Sequence, residues 1–156
     1  MKGYKEGEKQ KKITNLLYYM DNYDTFLENK YKEMEENEQR CESIQVEDAE
    51  VVLVSYGISS RVCKEAVRVA REQGIKLGLI RPISLWPYPV KAFEELSSSC
   101  KALMTVEMNI LGQMVDDVIL ATGNKYPVYK YATVKDVPET EIIIEKVNKI
   151  LSGEEV

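Results

Sequence analysis

Four apolar residues in a row, Val51-Val52-Leu53-Val54, give way through Ser55 and Tyr56 to Gly57, after which apolar positions recur three and four apart. An unbroken apolar run of that length, closed by a turn signal, suits a strand buried on both faces, and the switch to helical spacing behind it marks a β-α step. Gly57 can take positive φ angles that other residues avoid. Ser59 or Ser60 can accept a hydrogen bond from a free amide at the helix start. In that helix Val62, Ala66, Val67, Val69 and Ala70 form the inward stripe, while Arg61, Lys64, Glu65, Arg68, Arg71 and Glu72 are left for water.

The step then repeats along the chain. Gln73-Gly74 ends the first helix with a left-handed cap, and Ile75 to Ile80 is the second strand, stopped by Arg81-Pro82. After RPISLWPYP a short helix, VKAFEEL, turns Val90, Phe93 and Leu96 to the core; Ser97 to Ser99 end it, and Ala102 to Glu107 is the third strand. Past MNILGQ comes a helix of about ten residues bearing Met114, Val115, Val118, Ile119 and Ala121. Val128 to Val134 supplies a fourth strand. Pro138 opens a last helix with acidic residues in its first turn and lysines towards its end, as the helix dipole favours. Such alternation predicts an α/β fold in three αβα layers, with a mainly parallel sheet of four or five strands.

Ahead of this region, Lys9 to Arg40 contains no proline, and Ile13, Leu16, Met20, Tyr23, Leu27 and Met34 keep helical spacing. The spacing predicts a long amphipathic helix, bent near Asp21 to Asp24. It either docks on its own domain or offers a seam to another helix or domain, although Lys30 occupies one seam position. Tyr18, Tyr19, Tyr23, Phe26 and Tyr31 give it an aromatic surface suited to a partner. Residues 41–50, CESIQVEDAE, read as a polar connector. The expected organisation is a linker and helix over residues 1–44, an α/β domain over 45–151 and a tail over 152–156.

Composition removes several function classes. A net charge of -5 argues against a general nucleic-acid surface, and no apolar run reaches the roughly 18 residues needed to span a bilayer. The N-terminal MKGYKEGEKQ lacks the apolar segment of a secretory signal, so the expected location is the cytoplasm. Histidine is absent, which removes imidazole as base, proton shuttle or metal ligand, together with Ser/His and Cys/His nucleophilic pairs. Cys41, Cys63 and Cys100 stand too far apart for a CxxC metal or cluster motif; Cys63 reads as a small core residue and Cys100 as part of a loop. The sequence offers no catalytic, cofactor-binding or metal-ligating set of its own.

In an open parallel sheet, ligands and partners meet the surface beyond the carboxyl ends of the strands. Three segments fall there: Ser55 to Arg61, Arg81 to Pro89 and Glu107 to Met114. None carries the GxGxxG dinucleotide fingerprint or the GxxxxGK[ST] phosphate loop. Each also has a purely structural reading. The first can be a helix cap without ligand. Arg81 and Glu107, expected to end neighbouring strands, can pair with each other. Trp86, between Leu85 and two prolines, either plugs the core or fixes a flat apolar rim suited to a protein contact. Asn109, Gly112 and Gln113 either make a turn and helix start or hydrogen-bond across an interface.

At AEVVLVSYGISSRVCKEAV, GIKLGLIRPISLWPYP and VEMNILGQMVDDV, in that order and at similar spacing, the sequence resembles the C-terminal domain of the alpha subunit of 2-oxoacid:ferredoxin oxidoreductases, particularly the 2-oxoisovalerate and 2-oxoglutarate branch. The resemblance covers about Asp48 to Ile150, and the helix from Lys9 resembles the connector after the family's first domain. It implies a fold like the transketolase C-terminal domain. It also implies a part in oxidative decarboxylation of a 2-oxoacid to its acyl-CoA, with electrons passed to ferredoxin. Thiamine diphosphate, magnesium and iron-sulfur clusters are expected in the complete complex, while this chain lacks the GDG-type cofactor motif and the cluster cysteines. It is expected to be either a fragment of a longer alpha subunit or a separately encoded piece that assembles with the rest. The implied partners are the other domains and subunits, with ferredoxin and CoA engaged indirectly. The candidate interface residues are Gly57, Ser60, Arg61, Arg81, Trp86, Glu107, Asn109 and Gln113. The alternative expectation is a stand-alone module binding an anion, CoA or a nucleotide, motivated by Ser59, Ser60 and Arg81 near one helix N-terminus.

Overall fold

The computed structural model describes residues 22–155. They form five helices and five strands in the order α1 (Tyr23–Asn37), β1 (Cys41–Ile44), β2 (Val51–Val54), α2 (Gly57–Glu72), β3 (Leu77–Pro82), α3 (Lys91–Glu94), β4 (Ala102–Glu107), α4 (Met114–Ala121), β5 (Val128–Ala132) and α5 (Thr140–Ser152). The sheet runs β1-β3-β2-β4-β5. β3, β2, β4 and β5 are parallel, as the alternation predicts, and β1 lies antiparallel against β3.

Strand periodicity splits the core in two. Val51, Leu53, Leu77, Leu79, Met104 and Val106 face α2 and α5, where Cys63, Ala66, Val67, Ala70, Ile143, Ile144 and Val147 meet them. Val52, Val54, Ile80 and Leu103 face the other way, onto Ala92, Phe93, Met114 and Val118 of α3 and α4. β2 and β4 are buried at every position because helices cover both faces. This is the expected three-layer αβα arrangement.

The polar connector predicted for residues 41–50 needs correction. Cys41 to Ile44 is an edge strand in register with Pro82 to Leu79, so the sheet begins ahead of residue 45. Periodicity concealed it because an edge strand needs backbone pairing on one side only and tolerates polar side chains. Glu42, at its centre, is held by the Lys64 ammonium at 2.8 Å and by Arg81 at 3.1 Å. The rest of that stretch carries core residues too: Val46 and Ala49 are buried. It crosses β3 so closely at Gly78 that a Cβ there would lie 2.8 Å from the Gln45 carbonyl oxygen.

Smaller departures have local causes. β3 starts at Leu77 because the Ile75 amide donates to the Ala70 carbonyl at the end of α2. Pro138 is buried just ahead of α5, which starts at Thr140. Gly74 takes a φ of 80°, the predicted left-handed turn. In α1 the predicted stripe residues Tyr23, Leu27 and Met34 are half-buried, yet no α1 residue is fully buried. Asn22, just before α1, has a φ of 66°, within the zone where a bend was expected. Ile13, Leu16, Tyr18, Tyr19 and Met20 lie outside the described residues. No helix among the described residues is long and apolar enough to cross a membrane.

Candidate functional site

The chain leaves β2 for β3 on one side and returns from β3 to β4 on the other, so the crevice of the sheet opens at the carboxyl ends of β2 and β4. A cleft of about 130 Å³ sits there, lined by Tyr56, Gly57, Ile58, Ser59, Val106, Glu107 and Met108. Gly57 has a φ of 61°, as its position in the turn requires. The serines do not cap the helix as expected. The cap position is Tyr56, without a side-chain bond, and the Ser60 hydroxyl instead donates to the Gly57 carbonyl at 2.7 Å. Both Ser59 and Ser60 are buried, and the Ser60 hydroxyl is taken up by that bond, while Ser59 lines the cleft. Small-molecule sites usually enclose about 300 Å³ or more, which this cleft by itself does not reach. Arg61 is exposed one turn into α2.

The loop after β4 is ordered by its own polar side chains. Glu107 is 3% exposed, and both of its oxygens are used: one accepts from the Asn109 side-chain amide at 2.9 Å, the other from the Met114 backbone N–H at 3.0 Å. A carboxylate suits the free amides at the start of α4. The Asn109 side-chain oxygen in turn accepts from the Gly112 N–H. Gly112 has a φ of 66°, and a Cβ there would lie 3.0 Å from the Lys130 side chain. Lys130 donates to the Leu111 carbonyl at 3.3 Å, and the Thr133 N–H to the Glu107 carbonyl at 3.0 Å. Glu107, Asn109 and Gly112 thus form one clamp, which turns Met108, Ile110 and Leu111 outward. Gln113 is exposed beside them.

The loop after β3 is tied to the chain ahead of β1. The Ile83 and Ser84 amides donate to the Arg40 carbonyl at 2.9 and 3.1 Å, and the Arg40 amide donates to the Ser84 hydroxyl at 2.9 Å. Trp86 does not plug the core. It is 53% exposed and packs edge-on against Tyr31 of α1, ring centroids 5.6 Å apart. Nor do Arg81 and Glu107 pair: β2 lies between their strands, and Arg81 bonds Glu42. Lys64 and Arg81, in that order, hold the Glu42 carboxyl below the usual carboxylate range.

Of the eight predicted residues, Arg61, Trp86 and Gln113 present side chains to solvent, Gly57 and Asn109 shape the turns, and Arg81 braces β1. Ser60 and Glu107 are internal. Sequence reasoning missed the apolar residues between them. Ile58, Ile83, Leu85, Met108, Ile110, Leu111 and Val134, each at least 41% exposed, all follow the carboxyl end of a parallel strand. The available signal was an excess of large apolar residues inside loop segments, where exposure is the rule. Single exposed apolar residues need no explanation; these seven, gathered along one sheet edge, form an exposed apolar surface.

Among the described residues no group of three or more Cys, Asp or Glu side chains could hold a metal ion. Cys41 is exposed; Cys63 and Cys100 are buried. Burial pushes the Cys63 thiol up to about 12 and the Cys100 thiol upward as well, the reverse of an activated nucleophile.

The chain is 49% identical over 104 residues to the ketoisovalerate oxidoreductase subunit VorB of Methanothermobacter marburgensis, covering 67% of this chain and 29% of that protein. It is 44% identical over 71 residues to the 2-oxoglutarate synthase subunit KorA of Methanocaldococcus jannaschii, covering 46% and 19%. The chain thus spans less than a third of these curated relatives. Among solved structures, the fold is shared with a 2-oxoglutarate:ferredoxin oxidoreductase from Magnetococcus marinus (TM-score 0.69, 23% identity, covering 84% of this chain and 24% of that one). It is also shared with a split-gene transketolase solved as an inactive beta4 tetramer (TM-score 0.60, 20% identity, covering 74% and 42%). Residues 49–147 match the family profile described as pyruvate:ferredoxin oxidoreductase core domain II. The chain belongs to the pyruvate:ferredoxin oxidoreductase core domain II family.

Proposed function

We propose that this chain is an assembly domain of a 2-oxoacid:ferredoxin oxidoreductase alpha subunit, whose carboxyl sheet edge seats another domain or subunit of the enzyme. The supporting observation is the concentration of exposed apolar side chains on that one edge, between Ile58 and Val134. In this reading Arg61, Trp86 and Gln113 touch the partner, while Gly57, Ser60, Arg81, Glu107 and Asn109 hold the surface in shape. The complete enzyme would oxidatively decarboxylate a 2-oxoacid to its acyl-CoA and reduce ferredoxin in the cytoplasm; the likeness to a ketoisovalerate oxidoreductase subunit supports a branched-chain substrate. Among the described residues no group of three or more Cys, Asp or Glu could ligate magnesium or an iron-sulfur cluster; in this reading those cofactors, with thiamine diphosphate, reside in the remainder of the enzyme.

Co-expression tests the proposal. The chain is produced with the thiamine-binding and cluster-bearing polypeptides of the same organism, and the complex is purified through one of them. Co-purification in fixed stoichiometry is expected. A complex that assembles and turns over 2-oxoacid equally well without residues 41–151 would show that this domain has no assembly role.

A further inference from the structure

Ile110 and Leu111 are the most exposed apolar side chains of the carboxyl edge, at 73% and 66%. They sit on a loop held by its own hydrogen bonds, where Glu107, Asn109, Gly112, Met114 and Lys130 fix the backbone on both sides. A loose loop could fold such residues back onto the protein. This one cannot without breaking the buried Glu107 clamp. An open hollow of about 520 Å³ lies on one side of Leu111, reaching Met108 and Val134. Another, of about 480 Å³, lies on the other side between Gln113, Asp116, Val128 and Lys130. A rigid apolar ridge between two hollows loses little conformational freedom on docking, which is the property of an interface anchor.

The ridge also has a charged flank. Asp116 and Asp117 are exposed in the first turn of α4 and make no ion pair among the described residues. The nearby cation, Lys130, is bonded to the Leu111 carbonyl. We infer that the Ile110-Leu111 ridge is the anchor by which the domain docks onto the cofactor-binding part of its oxidoreductase, entering an apolar groove whose rim carries Lys or Arg opposite Asp116 and Asp117. The occupant is another part of the same enzyme, because this chain spans only 29% of its ketoisovalerate-oxidoreductase relative. The inference rests on the assembly reading and narrows it from the whole edge to one loop.

The test titrates the full chain against the purified thiamine-binding polypeptide by calorimetry. Replacing both residues (Ile110→Ser with Leu111→Ser) is expected to weaken binding about tenfold or more. Reversing the flank (Asp116→Lys with Asp117→Lys) should weaken it severalfold and abolish the loss of affinity that added salt causes in the wild type. Leu120, 79% exposed on α4, lines neither hollow, so Leu120→Ser should bind as wild type. Circular dichroism and urea midpoints confirm that each variant is folded. If the wild type binds and the double serine variant binds equally, the ridge is not the anchor and the assembly reading stands. If the wild type does not bind, the assembly reading falls and the ridge with it. Should the purified chain self-associate, with the serine variant alone monomeric, the occupant is a second copy and the inference is overturned.

Discussion

Glu107→Gln changes one oxygen for one amino group at a site where every partner is fixed. The wild-type carboxylate receives two donors, the Asn109 amide at 2.9 Å and the Met114 N–H at 3.0 Å. A glutamine accepts with one oxygen only, so its amino group must face one of those donors. Flipping Asn109 does not help, because its own oxygen already receives the Gly112 N–H and the mismatch would move there. One buried donor therefore goes unpaired in every arrangement, at about 1–3 kcal/mol. The lost charge at the start of α4 adds about 0.3–1 kcal/mol, partly offset by no longer burying a carboxylate. We expect a net destabilisation of about 2 kcal/mol in urea unfolding at neutral pH, followed by circular dichroism. Asn109→Ala alone removes partners for Glu107 and Gly112. In the double variant the glutamine amino group turns into the space Asn109 vacated, so the combined loss should fall short of the sum by about 1 kcal/mol. A Glu107→Gln chain within about 0.5 kcal/mol of wild type, or strict additivity, would refute the closed donor-acceptor order.

Gly78→Ala places a methyl 2.8 Å from the Gln45 carbonyl oxygen and 3.0 Å from the Ala49 Cβ. Because the first obstacle is backbone, the substitution should cost about 1–3 kcal/mol by the same unfolding assay. Iodoacetamide at mildly alkaline pH should label Cys41 rapidly; Cys63, raised to about 12, and buried Cys100 should react only after denaturation, as peptide mass analysis would show. Glu42 is depressed mainly by its hydrogen bond to Lys64. A carboxyl lowered in the folded state lends stability that is fully present above the ordinary carboxylate range and lost as pH falls through the folded value, so Glu42→Gln should flatten the acid limb of the stability profile. With both side chains near 38% exposed, that contribution should stay below about 1 kcal/mol.

The motif residues that stand out in the sequence and those that face outward are largely different sets. Glu107, Asn109 and Gly112 are conspicuous as a polar group around a glycine, yet they work inward as a clamp, and the residues they display are the ordinary-looking Ile110 and Leu111. For Trp86 the local sequence allows both a buried and an exposed position; in the fold it is exposed and packs against Tyr31, distant in the chain. Arg81 could pair with Glu107 only if β3 and β4 were neighbours; β2 lies between them, and Arg81 bonds Glu42.

Sequence alone determined what depends on near neighbours in the chain. The apolar run of β2 and the helical spacing of α2 follow from local period, and the positive φ of Gly57 and Gly74 from turn chemistry; all stand in the fold. Tertiary structure alone decided the strand order that separates Arg81 from Glu107 and the antiparallel β1 hidden in a polar stretch. It also decided that apolar loop residues at four strand ends share one exposed edge. Those facts rest on pairings between residues tens of positions apart, which backbone hydrogen bonds and burial fix only when the whole sheet closes.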